Sequence, residues 1–335
     1  MVSLKDVAMA CGVSVATVSK ALNGHSDVGA ATIKRIREKA REMGYSPNTA
    51  ARALKTHKTY NIGVLFADGA QSGLTHDYFS SVLEGVRVAA ERHGYDITFI
   101  NNKPSDHFSY YDRCMSRGVD GVIAACVNFE SPYIKELLAG AIPVITIDHV
   151  FNQCSAVVSD NVTGMRELTE YIVANGHRRI AFIHGEPSSV TQDRVTSFYR
   201  TLYEHDIKVP DEYVLEGRYR DTAMAFDCTK QLMNLRLRPT CIIYPDDFSC
   251  IGGINAITKM GLSIPDDVSI AGYDGQSISE VLRPALTTVR QDTRRIGGFA
   301  AERLIQQIEH PKTTLVEHAL IEGHLVNGAS VRKLV

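Results

Sequence analysis

Residues 3–23 read SLKDVAMACGVSVATVSKALN, and this stretch decides the first domain. Ser3 and Asp6 stand at the S-x-x-D spacing of a capping box, so a helix is expected from Leu4 with Val7, Ala8 and Cys11 on its apolar side. Gly12 breaks it. Ser14 offers a second N-cap, and Val18, Ala21 and Leu22 supply the stripe of a second short helix. Two short helices joined by a Gly-containing turn predict a helix-turn-helix. A longer amphipathic pattern follows at 30–43. Ile33, Ile36, Ala40 and Met43 point inward, and Lys34, Arg35, Arg37, Lys39 and Arg41 lie on the other face. Three such helices around one apolar centre leave the second free to enter a DNA major groove.

Charge supports that reading. Residues 1–60 hold ten Lys/Arg against four Asp/Glu, a surplus of +6, whereas the remainder holds 26 against 34, or −8. The whole-chain value of −2 hides this asymmetry, which fits a basic nucleic-acid module on an acidic body. A merely solvated helix face would be the plainer account of these charges, but it lies beside a helix-turn-helix. On the second helix, Val15, Ala16 and Lys20 are expected to face base edges: Lys can donate to guanine O6 and N7, and small apolar groups can touch thymine methyls. Ser14, Thr17, Ser19 and Asn23 carry short polar groups suited to phosphate oxygens, although Ser14 also serves as a cap.

At 335 residues the chain exceeds one ordinary domain, and 44% hydrophobic content suffices for well-buried cores. Seven scattered cysteines form no C-x-x-C pair, so buried free thiols in a reducing cytoplasm are expected. No apolar leader and no 18-residue apolar run is present, which argues against export or a membrane span. Pro47 ends the third helix, and Asn48 can cap a short one over 49–55. From Asn61 onward, short apolar runs alternate with amphipathic helices: strands at 62–66, 97–100, 121–125 and 144–147, with helices at 78–93, 107–117 and 132–139. The alternation then restarts, with helices at 162–175, 191–205, 223–234, 248–260 and 294–308 and strands at 180–183, 241–244 and 268–271. Two parallel βα subdomains are therefore predicted. The boundaries fall at 1–46 for the headpiece, 47–60 for a linker, and 61–335 for the α/β region.

Taken together, DVAMACGVSVATVSKALNG at 6–24, Gly44-Tyr45-Ser46-Pro47-Asn48 and Ala50-Ala51-Arg52-Ala53-Leu54 resemble the LacI/GalR family of bacterial transcription regulators. The resemblance resumes at Gly118-Val119-Asp120-Gly121, Gly176-His177-Arg178-Arg179-Ile180-Ala181, Ile264-Pro265-Asp266-Asp267-Val268-Ser269 and Leu286-Thr287-Thr288-Val289-Arg290-Gln291. It implies an N-terminal three-helix headpiece joined to a periplasmic-binding-protein-like effector domain of two Rossmann-like subdomains. It also implies a hinge at 47–60, capped by Asn48, that folds on the operator with Ala51 and Leu54 at the DNA and Leu54 wedged into the minor groove. Homodimerisation through the effector domain and a palindromic operator follow from the same likeness.

Ligands of open α/β sheets bind beyond the carboxyl ends of strands. Those ends carry Asp148, Arg194, Asp246, Asp247 and Asp274, with Phe66, Phe79, Phe151, Tyr219 and Phe248 near them. Carboxylates and a guanidinium fork suit a hydroxyl-rich ligand, and aromatic rings suit a sugar's apolar face. The resemblance assigns the effector role to Asp148, Arg194, Asp246 and Asp274, with Tyr219 at an aromatic position, and makes a carbohydrate the expected small-molecule effector. Asp247, at a helix start, is expected to cap rather than bind. The family's Arg-x-x-Gly-Phe is replaced by Arg194-Val195-Thr196-Ser197-Phe198. No metal-ligand spacing, P-loop or nucleophile elbow occurs, so neither a cofactor nor an enzyme activity is expected. Two alternatives remain open: a DNA-binding regulator controlled by a protein co-regulator, and a carbohydrate-binding protein with no DNA role.

Overall fold

The computed structural model describes residues 2–22, 27–45, 58–67, 73–100 and 108–334. The chain divides into two compact units, Met1–Thr59 and Tyr60–Val335. The hinge expected at 47–60 and the DNA contacts assigned to Asn23, Asn48, Ala51 and Leu54 lie outside the described residues, apart from 58–60.

The first unit holds α1 (Leu4–Cys11), α2 (Val15–Leu22) and α3 (Ala30–Glu42). The capping box forms as the spacing predicts: Ser3 Oγ accepts from the backbone N–H of Asp6, and Asp6 reaches back to the N–H of Ser3. Gly12 closes α1 at φ 62°, a left-handed conformation that costs glycine little. Val7, Val18, Ala21 and Ile36 are fully buried together, and Ile33 and Met43 pack at the edge of that core.

The second unit begins with β1 (Asn61–Phe66), a 3₁₀ turn (Gly73–Thr75), α4 (Asp77–His93), β2 (Asp96–Ile100), α5 (Tyr110–Arg117) and β3 (Gly121–Ala125). It continues through α6 (Pro132–Ala139), β4 (Val144–Ile147), β5 (Ser155–Ser159), α7 (Asn161–Ala174), β6 (Ile180–His184), α8 (Ser189–Glu204), a 3₁₀ turn (Asp211–Tyr213) and β7 (Val214–Glu216). Then come α9 (Thr222–Met233), β8 (Cys241–Ile243), α10 (Cys250–Lys259), β9 (Ser269–Ala271), α11 (Ser277–Val281) and β10 (Thr288–Arg290). The last elements are α12 (Thr293–Glu309), β11 (His318–Ile321) and β12 (His324–Val326).

Two parallel sheets result, as the alternation predicts. The first lobe has strand order β11-β5-β4-β3-β1-β2 and the second β7-β6-β8-β9, while β10 pairs antiparallel with β12. Each sheet carries buried apolar clusters on both faces. The chain passes between lobes three times, after β5, after β10 and after β11, so α12 and β11 complete the first lobe although they come late in sequence.

Glycines set the closest helix contacts. A Cβ on Gly85 of α4 would lie 2.1 Å from the Arg294 carbonyl oxygen, and one on Gly297 of α12 would lie 1.9 Å from that of Val82. The second lobe repeats the device, with Gly252 of α10 against the Thr222 carbonyl at 2.0 Å. Backbones at this approach leave no room for a methyl group.

Several short elements escaped the sequence reading. Strands β5, β7, β10, β11 and β12 have only three to five residues, too few for a period to declare itself. The helix expected over 107–117 starts at Tyr110, because Ser109 and Asp112 form a second capping box. The helix expected from Phe248 starts at Cys250.

Candidate functional site

In the first unit, Val15, Ala16 and Lys20 stand exposed on α2, opposite buried Val18 and Ala21. Ser14 serves as a cap while staying exposed: its Oγ accepts from the Thr17 N–H at 3.0 Å and lies 2.8 Å from Thr17 Oγ1. Lys20 pairs with Asp27, both side chains being about half exposed. Such an exposed pair contributes little and is easily exchanged for a base or phosphate. Lys34, Arg35, Arg37 and Arg41 stand exposed on α3, and Lys39 is held by Glu42 at 2.6 Å.

In the second unit the expected carboxylates and arginine gather beyond the carboxyl ends of the strands. The backbone there is unusual. Cys126 follows β3 at φ 54°, Asp148 follows β4 at 59°, Arg220 lies between β7 and α9 at 61°, and Asp274 follows β9 at 98°. Left-handed conformations at non-glycine residues cost free energy and concentrate at ligand sites.

Arg194, in the second turn of α8, is the centre of the cluster. It is 3% exposed, and its Nε donates to Asn161 Oδ1 at 2.8 Å and its Nη1 to the Pro245 carbonyl at 2.9 Å. Its Nη2 lies 3.6 Å from Asp274 Oδ1, and its guanidinium carbon sits 3.6 Å from the centre of the Tyr273 ring. Asp274 also accepts from Gln291 Nε2 at 2.6 Å. Burial pushes its carboxyl up to about 6, with the Asp246 charge adding to the rise and Arg194 and Gln291 opposing it. Asp148 accepts from Tyr78 Oη and from the Ser159 N–H, and its carbonyl accepts from Ser189 Oγ across the lobes at 2.9 Å. Tyr219 Oη lies 2.9 Å from Thr191 Oγ1, and burial raises that phenol. The arrangement therefore offers buried carboxylates, one fixed guanidinium and flanking rings, a combination suited to holding adjacent hydroxyls.

The model for the family described as bacterial regulatory proteins, lacI family, matches residues 3–48, and a periplasmic binding protein-like domain matches 169–331. An "HTH-type transcriptional repressor PurR" of Vibrio vulnificus (strain CMCP6) is 32% identical, over 95% of this chain and 96% of its own. The "Probable HTH-type transcriptional repressor ExuR" of Bacillus subtilis (strain 168) is 30% identical, over 100% and 99%.

The chain belongs to the LacI family.

It is thus a DNA-binding transcriptional regulator, and its relatives are repressors rather than enzymes. Among solved structures, the lac repressor dimer bound to operator and the anti-inducer ONPF has a TM-score of 0.79 at 25% identity, covering 99% of each chain. A transcriptional regulator CelR–cellobiose complex has the same fold, with a TM-score of 0.74 at 23% identity, covering 98% of this chain and 100% of its own.

Within this LacI-family chain the remaining site residues divide by what already occupies them. Asp246 is saturated locally: it accepts from the N–H groups of Arg220 and Ser249, both at 2.7 Å, and from Ser249 Oγ at 2.8 Å. The capping expected of Asp247 falls to Asp246. Asp247 instead ties two loops, accepting from Thr288 Oγ1 at 2.6 Å and the Gln276 N–H at 2.7 Å, and its carboxyl is raised well above the usual range by burial. Phe79 is 1% exposed and stacks on Phe66 with ring centres 3.6 Å apart, so Phe79 supports the ring of Phe66 from within the core. Ser197, where the family has glycine, turns its hydroxyl onto the Val162 carbonyl at 2.7 Å.

Sequence reasoning missed Asn161, Tyr273, Gln291 and Arg220. Tyr273 stands beside Asp274 and Gln291 ends the run 286–291 already matched to the family, so adjacency and that run were the available signals. His149, stacked on Phe129 at 4.5 Å and tilted against Phe151 at 4.6 Å, was also missed; burial holds its imidazole below the usual range, with the Glu130 charge opposing. Among the described residues, no group of three or more His, Cys, Asp or Glu is placed to hold a metal ion. No helix among them is long and apolar enough to cross a membrane.

Proposed function

We propose that this protein is a cytoplasmic repressor that binds a pseudo-palindromic operator as a homodimer and is controlled by a small hydroxylated effector, a sugar or sugar derivative, held between its lobes. The observation that carries the reading is the buried Arg194–Asp274 pair at the strand ends, fixed by Asn161, Pro245 and Gln291. A buried charge cluster is costly as mere scaffold, and it is the expected form of a preorganised ligand site. Val15, Ala16 and Lys20 read base edges; Ser14, Thr17, Ser19 and Asn23 position the headpiece on phosphates; Asn48, Ala51 and Leu54 serve the hinge. Asp148, Arg194 and Asp274 take the effector, with Phe66, supported by Phe79, and Tyr219 as its apolar walls, while Asp246 shapes the loop.

Two lines of support come from relatives. The ExuR and PurR proteins are named repressors, and the lac repressor of similar fold was solved as a dimer on its operator with a small anti-inducer. An effector shifts DNA affinity only through unequal affinity for two arrangements of the lobes. Here Ser189–Asp148 crosses between lobes and would be made or lost with that movement. The test is selection of bound sequences from a random duplex pool, followed by gel shift of the selected site with a sugar panel. A twofold-symmetric site whose affinity changes with one sugar is expected. Absence of any preferred duplex would refute the DNA half, and a preferred duplex insensitive to every sugar the effector half.

A further inference from the structure

Arg220 is not accounted for by the cleft described above. Its side chain is 10% exposed, and its guanidinium carbon sits 4.4 Å from the centre of the Phe248 ring. Nη2 reaches the Thr75 carbonyl of the first lobe at 3.2 Å, yet Nε and Nη1 are buried with no hydrogen-bond partner. The nearest carboxylate, Asp77 at the start of α4, stands 3.8 Å from Nη1, beyond hydrogen-bond length, and is about half exposed. With the Gln276 amide turned as its neighbours require, its nitrogen lies 3.0 Å from Asp77, so that carboxylate is already engaged.

The other carboxylates are also committed. Asp246 is filled by three donors, Asp274 faces Gln291 and Arg194, Asp148 takes Tyr78 and Ser159, and Glu186 accepts from the Tyr219 N–H at 3.0 Å. The buried atoms left without a hydrogen-bond partner around the cleft are Gln291 Oε1, Ser159 Oγ and the Nε and Nη1 of Arg220, and of these only the Arg220 pair carries charge. Neutral hydroxyls are poor compensation for a guanidinium out of water whose nearest described carboxylate is 3.8 Å away, whereas a carboxylate or phosphate can make a charge-assisted fork with Nε–H and the second Nη2–H, which share one edge of the guanidinium. Phe248 beneath the guanidinium plane and the positive φ of Arg220 fix where that fork points. The N-terminal end of the 17-residue α4 lies on the same side and also favours negative charge.

We propose that the effector is an anionic sugar, a hydroxylated ring bearing a carboxylate or a phosphate, and that Arg220 receives its charge while the Arg194–Asp274 end holds its hydroxyls. This rests on the reading of the cleft as an effector site and adds the charge of the ligand to it. Arg220 of the second lobe already reaches the first through the Thr75 carbonyl, and a ligand anion on its Nε edge would strengthen that link.

The experiment is calorimetric titration of the full-length protein with glucuronate, galacturonate, glucose 6-phosphate, and neutral glucose and galactose. At least one acid should bind about tenfold or more tighter than its neutral parent, the worth of one charge-assisted contact. The uronates against the phosphate decide which anion is meant. Arg220→Gln should bring the acid down to the level of its parent, and Arg220→Lys should retain part of the preference. Neutral sugars binding as well as every acid to the unaltered protein would overturn the proposal while leaving a sugar effector standing. Acid binding untouched by Arg220→Gln would overturn the assignment of Arg220, leaving it a strut between the lobes. No heat from any of the five would remove the sugar effector and the proposal together.

Discussion

Asp274→Asn offers a test whose size follows from the structure. The side chain is only 12% exposed, and its carboxyl is pushed up to about 6 from its ordinary 3.8. Below the lower value it is protonated in both folded and unfolded chains and shifts nothing. Between the two values the unfolded chain releases its proton while the folded chain keeps it, so stability falls as pH rises. Above about 6 both forms are ionised and the loss is complete. At ~1.4 kcal/mol per pH unit, that interval amounts to about 3 kcal/mol. Asparagine keeps the shape and an acceptor for Gln291 but does not titrate, so its stability should lack this slope. Urea unfolding of both proteins should show the variant gaining on the parent by about 2.4 kcal/mol between about pH 4 and about pH 7.5, part of the total having passed below about pH 4. Taking the difference cancels every other titrating group. A difference that stays flat, or runs the other way, would refute the picture of a carboxylate whose burial outweighs the pull of Arg194 and Gln291. The same variant should lose effector response, because a ligand hydroxyl gains more from an ionised acceptor than from an amide.

Three further outcomes are expected. Lys20→Ala should relax selectivity at one operator base pair by ~1–3 kcal/mol, read by competition with substituted duplexes; unchanged base preference would count against Lys20 as a reader. Gly297→Ala should lower stability by ~1–3 kcal/mol or more, since the added methyl meets the Val82 backbone at 1.9 Å and backbone has nowhere to retreat, and thermal unfolding checks it. Arg194→Gln should silence the effector in gel-shift assays while operator affinity persists. Loss of DNA binding by a variant that keeps native circular dichroism would make Arg194 a structural residue instead.

The headpiece was legible almost to the residue, because its signals are local. A capping box, a turn glycine and a cap serine sit within a dozen positions and act on their immediate neighbours. The α/β alternation was legible for the same reason wherever helices exceeded two turns. What escaped is non-local. Strand β11 belongs beside β5 although more than 150 residues separate them, and nothing in HALI at 318–321 announces that register. The cleft was half legible: strand ends point to Asp148 and Asp274, since any open α/β sheet exposes them. Whether such a carboxylate faces a ligand or its own loop depends on partners brought from afar. Asp246 holds the turn before α10 and Asp247 ties two loops for that reason, and Arg220 carried no signal at all, because its backbone conformation and the ring beneath it exist only once the lobes are built.

The late return of α12 and β11 to the first lobe has a consequence for synthesis. A ribosome delivers the trihelical headpiece first, and its few local contacts can close within moments of emergence. The lobe that follows must wait, short of a covering helix and an edge strand, until some 160 further residues have been made. During that interval the chain carries a closed headpiece but an unfinished first lobe, so whatever depends on the completed α/β unit arrives only with its last elements.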